Sequence, residues 1–201
     1  GIQKRLPWEF VLDTSYVGSL SRHLQAQINL NAIPYGATFR PQNAGITNRD
    51  FLRPYMGFGD ITYYKADANA NYNSLQVALN RPFTGGLLLK GAYTYGKALG
   101  MGDEDGRVTL TYGSPSEYHR NYAPQGYDRR HNFQLGFLYQ LPWKSDGPGG
   151  NIAKMIINDW QVNGVLGAFS GVPFTVTANG ATVNLPGNQQ TADQVKELET
   201  L

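Results

Sequence analysis

Five stretches of the chain alternate apolar and polar residues with a period of two: 8–16, 72–83, 87–95, 131–141 and 160–170. Neighbouring side chains on a strand point to opposite faces, so each stretch predicts a β-strand with one apolar face. The cleanest is 131–141. There Phe133, Leu135, Phe137, Tyr139 and Leu141 oppose Asn132, Gln134, Gly136, Leu138 and Gln140. In 87–95, Leu87, Leu89, Gly91, Tyr93 and Tyr95 oppose Leu88, Lys90, Ala92 and Thr94. In 72–83, Leu75, Val77, Leu79 and Phe83 oppose Ser74, Gln76, Ala78 and Asn80. In 8–16, Trp8, Phe10, Leu12, Thr14 and Tyr16 oppose Glu9, Val11, Asp13 and Ser15. The last, 160–170, puts Trp160, Val162, Gly164, Leu166 and Ala168 on one face, and its second face is less polar than the others. Each stretch is about as long as the ~9–11 residues a tilted strand needs to cross a bilayer.

The connections alternate in length. Thr84-Gly85-Gly86 reads as a tight hairpin, and 142–159 is a moderate turn carrying Asp146-Gly-Pro-Gly-Gly150. The segments 17–71 and 96–130 are long loops. Compact soluble domains rarely hold structureless loops beyond ~12–15 residues. Outer-membrane barrels pair short periplasmic turns with long external loops. This sets an orientation with the first strand running outward and the next four alternating. The aromatics sort by the same rule. Trp8, Phe83, Trp143 and Trp160 fall at the periplasmic ends, while Tyr16, Tyr93, Tyr95 and Tyr127 fall at the opposite ends. Trp and Tyr favour the membrane interface because each has an apolar body and a polar tip. The expected fold is all-β: antiparallel, up-and-down strands of a transmembrane β-barrel. It is expected to be incomplete, because such barrels begin at about eight strands and an open edge in lipid leaves unpaired backbone groups. The tail 171–201 reads as the start of another external loop. Within it, Thr191 and Gln194 fit a capping box, and Ala192, Val195 and Leu198 recur at helical spacing.

Composition supports a wet-lined barrel. Charged residues make up 16% of the chain, below the ~25% of average soluble domains. Mean hydropathy is nevertheless negative, −0.40, so the polarity comes from neutral groups and Gly. A net charge of +2 without a Lys/Arg cluster gives no footprint for nucleic acid. The absence of Cys removes disulfides and thiolate chemistry from this segment. No apolar run approaches the ~18 residues of a helical span.

Candidate chemistry is sparse, and no catalytic residue, metal set or cofactor site is assigned. Asp103-Glu104-Asp105 offers oxygen ligands but lacks EF-hand spacing, and reads as a solvated loop tip. His23, His119 and His131 are isolated. Asp128-Arg129-Arg130-His131 is the richest polar cluster, and it falls where a strand begins, as rim residues would. The glycine-rich 164–171 lacks a phosphate-loop ending, and reads as close packing or a bend. Tyr63, Tyr64, Tyr112, Tyr118 and Tyr122 lie in the long loops as candidate ligand-contact aromatics.

Several phrases occur in a familiar order. They are Tyr16-Val-Gly-Ser19, Asn71-Tyr-Asn-Ser-Leu-Gln-Val77, Arg81-Pro-Phe-Thr-Gly-Gly-Leu87 and Tyr93-Thr-Tyr-Gly-Lys-Ala98, then Asp128-Arg-Arg-His-Asn-Phe133, Asp159-Trp-Gln-Val-Asn-Gly164 and Ser170-Gly-Val-Pro-Phe-Thr-Val176. Together they resemble the barrel of TonB-dependent outer-membrane receptors, and most of all the Oar-like branch. The resemblance runs from about Trp8 to Val176. It implies a 22-stranded barrel around an N-terminal plug and active uptake of a large or scarce ligand powered through TonB. The partners it implies are outer-membrane lipid, the remaining strands and plug of the same full-length protein, and TonB acting through the N-terminal part. It supplies no ligand-binding residues by motif. Plug, TonB box, signal peptide and a final aromatic-ended strand are not seen here, so the expectation is an internal slice of a larger receptor. Two other functions compete: a soluble β-rich carbohydrate-binding module, and an outer-membrane enzyme with Asp128 and His131 at its rim.

Overall fold

The structure is a computed structural model, and it describes residues 1–102, 108–109, 114–143, 158–178 and 190–191. Its strands are β1 (Ile2–Arg5), β2 (Val11–Asn29), β3 (Thr62–Thr84), β4 (Leu87–Gly100), β5 (Val108–Thr109), β6 (Ala123–Pro124), β7 (His131–Gln140), β8 (Gln161–Phe169), β9 (Thr177–Ala178) and β10 (Gln190–Thr191). Helical structure among the described residues is confined to short 3-10 turns. The main sheet runs β1–β2–β3–β4–β7–β8, so sequence neighbours are mostly sheet neighbours. β7 is antiparallel to both β4 and β8. Side-chain hydrogen bonds join Glu9, just before β2, to Thr84 at the end of β3, and Tyr16 of β2 to Asn73 of β3, so the two strands run in opposite directions. β1 and β8 close the path at its two edges, each with a single neighbour. The fold is therefore an open, antiparallel all-β sheet, an incomplete barrel.

Two compact units share these strands. The first comprises Gly1–Gly18, Tyr72–Lys97 and Arg129–Gly171; the second comprises Ser19–Asn71, Ala98–Asp128 and Val172–Leu201.

In the first unit the register carries the alternation across the sheet. Leu89 pairs with Phe137, and Phe137 with Gly164; Gly91 pairs with Leu135, and Leu135 with Leu166. One face is thus a continuous apolar band. The other carries Lys90 beside Gly136, Ala92 beside Gln134, and Leu138 beside Asn163. Gly164 belongs to the apolar face because its partner is large: a Cβ there would stand 2.9 Å from Phe137 Cε1. Gly85 and Gly86 both have positive φ, 57° and 83°, which suits a two-residue hairpin between right-twisted strands.

No described apolar side chain of this unit is buried. Val165 is 89% exposed and Leu166 54%, and every buried hydrophobic residue, from Ala26 to Met101, lies in the second unit. A sheet whose apolar face covers nothing is unstable in water and suited to hydrocarbon.

Several boundaries differ from the sequence pattern. β2 starts at Val11 rather than at residue 8, because Pro7 lacks an N–H and begins a 3-10 turn, Pro7–Glu9, in which Trp8 has φ 57°. β2 then continues to Asn29, and β3 begins at Thr62, so much of the expected loop 17–71 is strand. β4 likewise continues to Gly100, into the expected loop 96–130. The extensions also alternate, Ser21, Gln25 and Gln27 with Leu24, Ala26 and Ile28, and Lys65, Asp67 and Asn69 with Ala66, Ala68 and Ala70, but the apolar set is mostly small and gives a weaker pattern than the five stretches. β1 was not expected either, since Ile2-Gln-Lys-Arg5 is too short to show a pattern. Thr191 pairs with Thr177, while 192–198, the basis of the expected tail helix, lies outside the described residues.

Candidate functional site

The first unit has a distinct surface at each end of its strands. At the hairpin end, Arg81 Nε donates to Trp8 O at 3.0 Å, and Thr84 Oγ1 donates to Glu9 Oε2 at 2.5 Å. Gln140 N donates to Gly86 O at 2.7 Å, and Leu141 N to Trp160 O at 2.8 Å. These bonds bring Trp8, Phe83 and Trp160 to one end, with Trp143 just beyond Leu141. All four rings are more than half exposed. At the opposite end, Tyr95 stands across from His131, and Tyr93 across from Phe133. The Tyr93 hydroxyl lies 2.7 Å from His131 Nδ1, and the Tyr95 ring tilts against the imidazole at 5.2 Å. Tyr16 donates to Asn73 Oδ1 at 2.5 Å. Tyr127 belongs to the second unit, where it is 63% exposed.

The candidate ligand-contact tyrosines are not gathered into one site. Tyr63 and Tyr64 are consecutive on β3, so they point to opposite faces. Tyr118 turns inward. It packs against the cluster of Ala26, Ile28, Ala68 and Met101, and its hydroxyl donates to Asp67. Lys65 also pairs with Asp67, and its ammonium sits 5.3 Å over the Tyr118 ring. Burial and the Asp67 carboxylate push the Tyr118 phenol above its ordinary range. Tyr122 is half-exposed and accepts from Asn71 Nδ2 at 2.7 Å. Tyr112 and the acidic run Asp103-Glu104-Asp105 lie outside the described residues.

Asp128 and His131 each engage another group. Asp128 is 6% exposed and its Oδ1 accepts the Ala98 N–H at 2.8 Å, holding the chain that leads into β7. His131 is engaged with Tyr93 and opens β7.

The most organised polar centre has no periodic signature in the sequence. Asn31, fully buried, donates its Nδ2 hydrogens among the carbonyls of Tyr55, Phe58 and Gly59 at 2.8–3.0 Å. Its Oδ1 accepts from Tyr55 N at 2.7 Å. Arg53 completes the knot. Nη1 reaches Asn31 O at 2.8 Å and Asp60 Oδ1 at 2.7 Å, and Nε reaches Asp50 Oδ1 at 2.8 Å. The one available clue was the crowding of Asn29, Asn31, Asn48, Asp50 and Asp60 in a Gly- and Pro-punctuated stretch that also holds Arg53.

Hydrogen bonding to Arg53 holds the Asp60 carboxyl below its ordinary range. A carboxyl depressed in the folded state stabilises it above the unfolded pKa of ~3.9 and loses that contribution as pH falls through the lower folded value. Amide protection in 30–61, corrected for intrinsic exchange, should therefore hold from neutral pH to about pH 4 and fall below it. Loss of protection already near pH 6 would show that this ion pair does not order the loop.

A family model for an outer membrane beta barrel domain matches residues 1–200. The chain belongs to that family. The outer-membrane barrel domain is thus located in the bacterial outer membrane, and the uncovered apolar face of its first unit is a lipid-facing surface. This location rules out the soluble module. No curated protein and no solved structure matches the chain.

Proposed function

We propose that this barrel domain is part of a TonB-dependent uptake receptor of the Oar-like branch, taking in a scarce or large ligand. The ordered set of phrases carries the reading. Arg81-Pro-Phe-Thr-Gly-Gly-Leu87 spans the hairpin, Asp128-Arg-Arg-His-Asn-Phe133 leads into β7, and Asp159-Trp-Gln-Val-Asn-Gly164 leads into β8. Strand length supports it as well. β2 has 19 residues and β3 has 23, about twice the ~9–11 needed to cross, as suits a barrel carrying a large external apparatus. The proposed partners are further strands and a plug of the same protein, and TonB. Transport rather than catalysis is favoured because the Asp128 and His131 side chains are both engaged in holding the rim. The test is a pull-down of the full-length protein, extracted from outer membranes, by the periplasmic domain of TonB. Capture is expected. Its failure with a correctly folded barrel would sink the uptake reading and leave the family assignment standing.

A further inference from the structure

The two ends of the lipid-facing surface are chemically different. At the hairpin end Arg81 is already committed: it donates to Trp8 O and Leu87 O, and its guanidinium lies 5.8 Å from the centre of the Phe10 ring. A carboxylate, Glu9, stands there too. At the opposite end, β4 continues two residues past Tyr95 to Lys97, which shares the face of Tyr93 and Tyr95 by strand alternation. A Cβ on Gly96 would stand 3.3 Å from that of Ser74, so the following Lys97 and the preceding Asn73 are neighbours on the other face. That is the apolar face, shared with Leu75 and Val77. Lys97 is exposed and makes no ion pair among the described residues. The Tyr16 hydroxyl occupies Asn73 Oδ1, which leaves the Asn73 Nδ2 hydrogens as donors. Below this tier stand Tyr95 and His131, and below them Tyr93 and Phe133.

We infer that Lys97 and Asn73, above the Tyr93–Tyr95–His131 ring cluster, form a seat for the phosphate of a lipid headgroup in the outer leaflet. Three observations converge on it. The tier offers hydrogen-bond donors and positive charge, and the neighbouring Asp128 carboxylate is buried and held by the Ala98 N–H. It continues directly from the lipid-facing band, so the molecule that meets it is a lipid. The rings beneath it are amphipathic side chains placed where hydrocarbon gives way to headgroup. An ammonium at a membrane surface attracts anionic lipid, and an amide N–H donor adds direction to that attraction. The uptake proposal is not required for this; only the outer-membrane assignment is.

The test uses the full-length protein in phosphatidylcholine nanodiscs doped with spin-labelled phosphatidic acid or spin-labelled phosphatidylcholine. The motionally restricted fraction of each label reports contact with the protein. The native protein should favour phosphatidic acid. Lys97→Gln should reduce that preference about fivefold, the effect of one cation at the surface. Lys97→Arg should retain most of it, and Lys65→Gln, at a lysine whose charge Asp67 already balances, should not change it. An unchanged preference in Lys97→Gln would overturn the inference. So would displacement of the labelled lipid by inorganic phosphate alone, which would make free phosphate the ligand. Because Lys97 is exposed, the variants should keep heat-modifiable gel mobility, which verifies that they are folded.

Discussion

Arginine in place of Leu135 should destabilise the barrel by about 2–4 kcal/mol, whereas arginine in place of its neighbour Gln134 should cost about 1 kcal/mol or less. Leu135 lies mid-strand on the apolar face, between Gly91 on β4 and Leu166 on β8. A guanidinium there is held in hydrocarbon, with no groove wall to pair it. Gln134 lies between Ala92 and Gly167 on the other face, where a long cationic side chain meets water or polar wall. The two sites share a strand, a backbone geometry and a distance from the membrane surface, so the comparison isolates which face meets lipid. Denaturant unfolding of the full-length protein in phospholipid bilayers measures both. Equal costs at the two positions, or the larger cost at Gln134, would mean that the faces are assigned the wrong way round.

That contrast could be drawn because the part of the fold that meets lipid is the part the sequence exposes to reading. Hydrocarbon on one side and water on the other force a period of two, and Phe133, Leu135, Phe137 and Tyr139 display it without interruption. Further along the same strands the alternation persists with smaller apolar residues. In β2 beyond Tyr16 and β3 before Tyr72, Ala26, Ile28 and Ala68 join a small buried cluster and alternate with Gln25, Gln27, Asp67 and Asn69, and alanines between polar residues make a faint strand signal. Tyr and Trp at the strand ends were assigned by the same kind of reasoning, because amphipathic rings suit one depth. The loop tyrosines were not. A tyrosine beside a buried apolar cluster and a carboxylate turns inward, as Tyr118 does toward Asp67, and only the tertiary arrangement shows which tyrosine has that choice. Asn31 left only the crowding of Asn and Asp residues around it as a clue. An asparagine in a loop usually serves a local turn, and the three carbonyls this one serves lie 24–28 residues away.

Asn31→Ala is accordingly the second substitution with a large expected effect, and its effect should be confined to the loop. It removes the donors serving Tyr55 O, Phe58 O and Gly59 O and the acceptor serving Tyr55 N. Each buried group left without a partner costs about 1–3 kcal/mol. Water entering the opened knot recovers part of this, so a local loss of about 3–5 kcal/mol is expected. Arg53 would lose its anchorage as well, since its Nη1 bond to Asn31 O depends on where that backbone sits. The readout is tryptic cleavage after Arg49 in the full-length protein. This site should become cleavable at a rate at least tenfold higher, while heat-modifiable mobility of the barrel persists. Asn31→Asp separates the hydrogen-bonding role from simple loss of volume. It preserves shape and the acceptor for Tyr55 N but turns an oxygen toward three carbonyl oxygens, so it should open the loop at least as far as alanine does. If Asn31→Asp left cleavage at the native rate, the amide donors would not be what closes the knot, and the ion pairs of Arg53 with Asp50 and Asp60 would have to hold it alone.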